Sequence, residues 1–190
     1  MKSRNLANPA IEPKFDKAFR EKLLPTESAT HSGFAPALTQ APSLSRSLSV
    51  IWVELAIGIT RAAADVGIPV AIGFTVETDG RLPDGTPLST AVTTVDAEAA
   101  PEYFLVNCAH PDHISQAIDD GAWRDRIGGL RVNASRRSHD ELDAADTLDD
   151  GDPDELAAVQ KPLLEQFGNV VELGGCCGTD ARHVAAMWGV

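Results

Sequence analysis

Apolar and polar residues alternate in a repeating order from residue 51 onward. Residues 53–66 have the apolar spacing of a helix, and residues 68–76 form a continuous apolar run of strand length. This order of helix and strand recurs three more times along the chain. The pattern predicts strands over residues 68–76, 103–107, 129–133 and 169–173, and helices over residues 53–66, 88–99, 113–125, 153–167 and from about 180. Buried strands separated by helices are typical of parallel βα units.

Four βα units amount to half of a (β/α)₈ barrel, also called a TIM barrel, which typically needs about 250 residues. The chain has 190 residues. We therefore predict an α/β fold, a partial (β/α)₈ barrel made of about its last four βα units. The two edges of such a half barrel would be unpaired strands, which favour self-association.

Residues 1–50 differ in composition from the rest of the chain. They carry seven Lys or Arg against four Asp or Glu, five of the twelve prolines and a serine-rich stretch, whereas residues 51–190 carry nine basic and twenty-four acidic residues. A segment of this composition buries little apolar surface. We predict a divergent, poorly ordered leader over residues 1–50 and the barrel half over residues 51–190.

The net charge of −12 excludes several classes of partner. An acidic chain repels phosphate backbones and anionic membrane surfaces, so we expect no nucleic acid and no membrane as partner. The most apolar stretch, residues 50–59, contains Glu54 and is too short to span a bilayer. An odd count of three cysteines and the lack of a secretory signal favour a reducing, cytoplasmic location.

All three cysteines follow predicted strands. Cys108 comes after the second strand, and Cys176 and Cys177 come after the fourth. The carboxyl ends of parallel strands form the catalytic face of such a fold. Three thiolates around Zn²⁺ leave its fourth position open, as in catalytic zinc sites. Alternatively, Cys108 is a small buried apolar residue and the adjacent pair has a redox role or none.

Four segments together resemble the zinc-dependent homocysteine S-methyltransferases. They are residues 74–83 (FTVETDGRLP), 106–111 (VNCAHP), 129–136 (GLRVNASR) and 174–180 (GGCCGTD). The resemblance implies a (β/α)₈ barrel with Zn²⁺ bound by Cys108, Cys176 and Cys177. It also implies that homocysteine binds the metal through sulfur and takes a methyl group from S-methylmethionine or S-adenosylmethionine, giving methionine. The expected function is thus methyl transfer in methionine biosynthesis.

Two other functions stay open at this stage. The family begins with a strand that ends in an acidic Gly-Gly element, and residues 1–50 contain nothing similar. A noncatalytic remnant that binds zinc or homocysteine is therefore the alternative to a methyltransferase, and truncation is expected to impair turnover. A redox protein that uses Cys176 and Cys177 is disfavoured, because adjacent cysteines form only a strained ring.

Several polar residues are candidates for binding substrate. Glu77 follows the first predicted strand and could pair with the ammonium group of homocysteine, or it could shape a turn. Asn107 and Asn133 lie at strand ends, where they could bind substrate or satisfy the backbone of a turn. His110 is a candidate second-sphere donor beside Cys108. The remaining histidines of this region are interpreted as residues of helix surfaces, namely His113, His139 and His183.

Overall fold

The computed structural model describes residues 45–190, with side chains from residue 50 onward. Five parallel strands form one sheet in this part of the chain: β1 Ser45–Val50, β2 Val70–Thr75, β3 Phe104–Asn107, β4 Ile127–Val132 and β5 Glu172–Gly175. The helices are α1 Val53–Asp65, α2 Leu88–Glu98, α3 Pro111–Gln116, α4 His139–Asp143, α5 Pro153–Gln166 and α6 Ala181–Trp188, with a 3₁₀ helix at Ala122–Arg126.

The strands lie in the sheet in the order in which they occur in the chain. β1 pairs with β2, β2 with β3, β3 with β4 and β4 with β5, all in parallel. A sequential parallel order with helical crossovers is the arrangement of a (β/α)₈ barrel wall. The predicted α/β class is confirmed, and the sheet is consistent with part of such a barrel.

The core of the sheet is apolar on both faces of its central strands. Every residue of β2 and β3 is buried, and the rings of Phe74 and Phe104 stack with centroids 6.0 Å apart. Burial of a side chain of this size stabilises the fold by about 2 to 3 kcal/mol relative to exposure. Such central strands fix the positions of the polar residues that follow them.

The structure corrects the predicted boundary of the leader. Residues 45–50 form β1, whose register pairs Leu48 with Ile72 and Val50 with Phe74. The interpretation overlooked this strand because the serine-rich composition masks a short extended segment. The prediction of a poorly ordered leader over residues 1–44 lies outside the described residues. The division of the chain into leader and barrel half otherwise stays a prediction, as does self-association through strand edges.

The predicted helix over residues 113–125 is wrong, because this segment consists of α3 and a separate 3₁₀ helix. The break is at Asp119, whose carboxylate Oδ1 accepts hydrogen bonds from the Gly121 N–H at 2.8 Å and the Trp123 Nε1–H at 2.6 Å. An aspartate that binds the backbone two residues onward competes with helix formation. The predicted fourth strand is also displaced, since β5 covers residues 172–175 rather than 169–173.

No helix in residues 45–190 is long and apolar enough to cross a membrane.

Candidate metal and substrate site

The three cysteines come together at the carboxyl ends of β3 and β5. Their Sγ atoms all lie within 4.8 Å of one another. The sulfurs of Cys108 and Cys176 lie at disulfide-bonding distance, with Cα atoms 5.5 Å apart, and Cys177 keeps a free, exposed thiol. The cluster therefore joins two loops that are 68 residues apart in the chain.

The donor set fits a zinc ion. Thiolates are the soft ligands that Zn²⁺ accepts, and three of them at about 2.3 Å from one ion lie roughly 3.8 Å apart in a tetrahedron. The 4.8 Å upper limit on the separations of the three sulfurs includes this value, but Cys108 and Cys176 lie closer, at disulfide-bonding distance, so they would bind Zn²⁺ only after reduction to thiolates and separation of the two sulfurs. The exposure of Cys177 gives a small molecule access to the cluster. Among the described residues, the cluster contains no histidine or carboxylate.

Backbone geometry turns both loops toward this point. Cys108 has φ of 51°, a left-handed conformation that is uncommon for a residue other than glycine. Its N–H donates to the Arg131 carbonyl at 2.9 Å, while the Cys176 N–H donates to the Val132 carbonyl at 2.7 Å. Gly178, with φ of 77°, then reverses the chain after Cys177. Because both loops bond to β4, this central strand sets the separation of the cysteines.

Asn133 connects the two cysteine loops directly. Its Nδ2–H donates to the Cys108 carbonyl at 3.0 Å, and its Oδ1 accepts from the Cys177 N–H at 3.0 Å. The side chain is 3% exposed. The carboxamide thus hydrogen-bonds to the backbone of both cysteine loops. Such a backbone role is the alternative to substrate binding that the sequence left open. Substrate binding by Asn133 stays a prediction.

Asn107 is the last residue of β3 and is buried. Its side chain lies against Gly73 of β2, and a Cβ atom added to Gly73 would clash with it. Only glycine at this position leaves room for the carboxamide between the strands. Asn107 immediately precedes Cys108 in the chain, and its contact with substrate stays a prediction.

Glu77 and His139 form an ion pair at the edge of the site. The Glu77 Oε2 atom lies 2.9 Å from His139 Nδ1, while His139 Nε2 lies 2.7 Å from the Cys108 carbonyl oxygen. Burial lowers the pKa of His139, but the hydrogen bonds with Glu77 and the Cys108 carbonyl outweigh this and raise it above its ordinary value. The interpretation of His139 as a helix-surface residue is wrong, because its ring contacts Glu77 in the loop after β2 and Cys108 in the loop after β3.

Two other histidines were also misplaced on helix surfaces. His113 and His183 are buried, and their Nε2 atoms lie 2.9 and 2.8 Å from the carbonyl oxygens of Arg136 and Asp150. Both bonds fasten the segment that follows β4. The sequence offers one usable signal for α4 in this segment, since Ser138 and Glu141 form a capping box. The partners of the histidine rings have no such local signal.

His110 does not belong to the cysteine cluster. It is 1% exposed and caps α3, with its Nδ1 atom accepting from the Asp112 N–H at 3.2 Å. Burial lowers the pKa of His110 to about 4. The unfolded chain has a histidine pKa of about 6.5, so it takes up a proton below that pH while the folded protein does not until about pH 4. Stability is therefore present above pH 6.5 and is lost as the pH falls toward 4.

We expect His110→Asn to reduce this sensitivity to acid, because asparagine keeps a hydrogen-bond acceptor for α3 but does not titrate. Between pH 7 and pH 5 the wild-type free energy of unfolding should fall by about 2 kcal/mol more than that of the variant. Urea unfolding at both pH values measures the difference. Equal falls in both proteins would contradict a neutral, buried His110.

A cavity of about 310 Å³ opens beside the exposed Cys177 thiol. Its walls come mainly from the loop after β4, a segment in which the sequence pattern indicated no site residue. The residues that line it include Ser135, His139, Leu142, Asp143, Asp146, Leu148, Asp149, Cys177 and Gly178. The cavity thus combines apolar surface with carboxylates next to the thiol. Of these carboxylates, Asp149 pairs with Arg137, whose Nε atom lies 3.6 Å from Asp149 Oδ2.

The sequence was compared with known proteins and protein families. No curated protein sequence matches the chain significantly. The family model described as homocysteine S-methyltransferase matches residues 47–189, which is well over half of the chain. The match includes all three cysteines, Glu77, Asn107 and Asn133, and it begins within β1. The chain therefore belongs to the homocysteine S-methyltransferase family.

Proposed function

We propose that this protein transfers a methyl group from a sulfonium donor to homocysteine, with Zn²⁺ held by Cys108, Cys176 and Cys177. The observation that carries the proposal is the convergence of three sulfurs from two strand ends. Bound by three thiolates, Zn²⁺ would lower the pKa of the homocysteine thiol and leave its sulfur nucleophilic.

The residues of the chain supply the remaining parts of the reaction. Cys177 is exposed and borders the cavity, so homocysteine can approach the cluster from that side. Glu77 offers a carboxylate for the ammonium group of homocysteine, and Asn133 holds both cysteine loops in register. In the transfer, the homocysteine sulfur forms a bond to the methyl carbon while the carbon–sulfur bond of the donor breaks. The bonding electron pair stays on the departing thioether.

The cavity beside Cys177 supports a cationic donor. S-methylmethionine and S-adenosylmethionine both carry a positive sulfonium centre, and Asp143 and Asp146 line the cavity wall. Carboxylates attract a cation, but the positive charge disappears from the donor when the methyl group leaves. The same wall would thus hold the neutral product less strongly. Methyl transfer also needs the methyl carbon in line, roughly 3 to 3.5 Å from the attacking sulfur.

The test is methionine formation from homocysteine by purified protein under reducing conditions. We expect about one zinc ion per chain, as three thiolates predict, and methionine formation with at least one of the two donors. Removal of the metal with a chelator should abolish product formation, and added Zn²⁺ should restore it.

Two outcomes would contradict the proposal in different ways. Protein that binds no zinc, or that is equally active after chelation, would rule out the thiolate mechanism. Protein that binds zinc and homocysteine but forms no methionine with either donor would instead be the noncatalytic binding protein that the sequence left open.

A further inference from the structure

The ring of His139 makes two polar contacts, one through each nitrogen. Its Nε2 atom lies 2.7 Å from a carbonyl oxygen and its Nδ1 atom 2.9 Å from a carboxylate oxygen. Both partner atoms are oxygens that can accept a hydrogen bond from a ring N–H. The ring therefore bridges the Cys108 carbonyl and the Glu77 carboxylate, and hydrogen bonds to a carboxylate are stronger than those between neutral groups.

The two partners of the ring lie far apart in the chain. Glu77 is 62 residues and Cys108 is 31 residues from His139. Glu77 follows β2, Cys108 follows β3, and His139 begins α4. The backbone at Glu77 already forms a turn, since its N–H donates to the Arg81 carbonyl at 2.7 Å. This turn involves the backbone of Glu77 and not its side chain. The orientation of the Glu77 carboxylate is set by its contact with His139.

We propose that His139 is a positioning residue that holds the Glu77 carboxylate at a fixed distance from the Cys108 loop. Homocysteine carries its thiol and its ammonium group at opposite ends of a short chain. A site that binds both ends needs the metal-binding sulfurs and the carboxylate at a constant separation, and the ring bridges these two parts. This inference rests on the proposed function and assigns the recognition of the ammonium group to the Glu77–His139 pair.

The experiment compares two thiols in zinc-loaded protein by calorimetry. Homocysteine carries the ammonium group, and 4-mercaptobutyrate has the same thiol and carboxylate without it. We expect His139→Ala to weaken homocysteine binding by about 10- to 100-fold, the range for residues that orient a site through another group. Binding of 4-mercaptobutyrate should stay unchanged, because it does not use Glu77.

A double substitution separates positioning from a general structural effect. If His139 acts through Glu77, then Glu77→Gln combined with His139→Ala should bind homocysteine no more weakly than Glu77→Gln alone. His139→Gln, which can still donate one hydrogen bond, should recover part of the affinity. Asp140→Ala is the matched control, since Asp140 is the next, exposed residue of the same helix.

Other results would overturn the inference. Equal weakening of both thiols by His139→Ala, or additive losses in the double variant, would show that the ring only supports the fold. Wild-type protein that binds 4-mercaptobutyrate as tightly as homocysteine would show that the ammonium group is not recognised. Wild-type protein that binds neither thiol would instead contradict the proposed function itself.

Discussion

Cys177→Ala is expected to lose its zinc and at least about 99% of its methionine formation, since even residues that only orient metal ligands contribute 10- to 100-fold to affinity or activity. Cys177 is exposed, so its thiol contributes little to the packing of the chain. The free energy of unfolding of metal-free protein should therefore change by less than about 0.5 kcal/mol. Zinc analysis, product formation and urea unfolding of the same preparation give the three values.

Thr147→Ala is the control for this experiment. Thr147 lines the same cavity but has no thiol, so the variant should keep its zinc. Cys108→Ala and Cys176→Ala should lose zinc as Cys177→Ala does, because all three sulfurs belong to one cluster. Full zinc content in any of the three cysteine variants would exclude that sulfur as a ligand.

Gly178→Ala is expected to be the most damaging substitution in the loop after β5. Gly178 has φ of 77°, and a Cβ atom there would clash with the backbone carbonyl oxygen of Asp149. Left-handed backbone alone costs an alanine about 1 to 2 kcal/mol, and the clash adds to this because a carbonyl of the main chain cannot rotate away. We expect a loss of more than about 2 kcal/mol in the free energy of unfolding, together with weaker zinc binding through displacement of Cys177.

Gly174→Ala provides a matched comparison four residues earlier. A Cβ atom at Gly174 would have only ordinary contacts, 3.9 Å from Arg131 Cγ and 4.0 Å from Arg131 Nε. The same chemical change should therefore alter stability and zinc affinity little. Urea unfolding and competition with a zinc chelator measure both quantities. Similar losses of stability and zinc affinity in Gly174→Ala and Gly178→Ala would show that the left-handed backbone at Gly178 is not the cause.

Local patterns in the sequence predicted the central part of the fold. The apolar run over residues 68–76 contains β2, and the run over residues 103–107 contains β3, because strands buried on both faces are continuously apolar. The positions of Cys108 and of the Cys176–Cys177 pair after predicted strands were sufficient to place all three at the same edge of the sheet, where the structure has their sulfurs within 4.8 Å of one another. Membership of the family followed from the four motifs and is confirmed.

The remaining parts of the site depend on contacts between distant residues. Asn133 bonds to Cys108 and Cys177, which are 25 and 44 residues away, and a strand-end asparagine has the same local sequence whether it binds backbone or substrate. His139 is similarly one of several histidines in polar surroundings until its ring is placed in three dimensions. The break at Asp119 was missed because the apolar spacing of residues 113–125 indicates a helix and does not reveal the two hydrogen bonds that the Asp119 carboxylate accepts.

The strand order also sets the time at which the site is completed during synthesis. Each strand pairs with the one made immediately before it, so β1 to β4 can join the sheet as they leave the ribosome. Cys108 is made 68 residues before Cys176, and at about 5 to 20 residues per second this interval lasts roughly 3 to 14 s. During that time the nascent chain carries Cys108 without its partners. If the cluster binds zinc as proposed, all three thiols can do so only after most of the sheet has assembled.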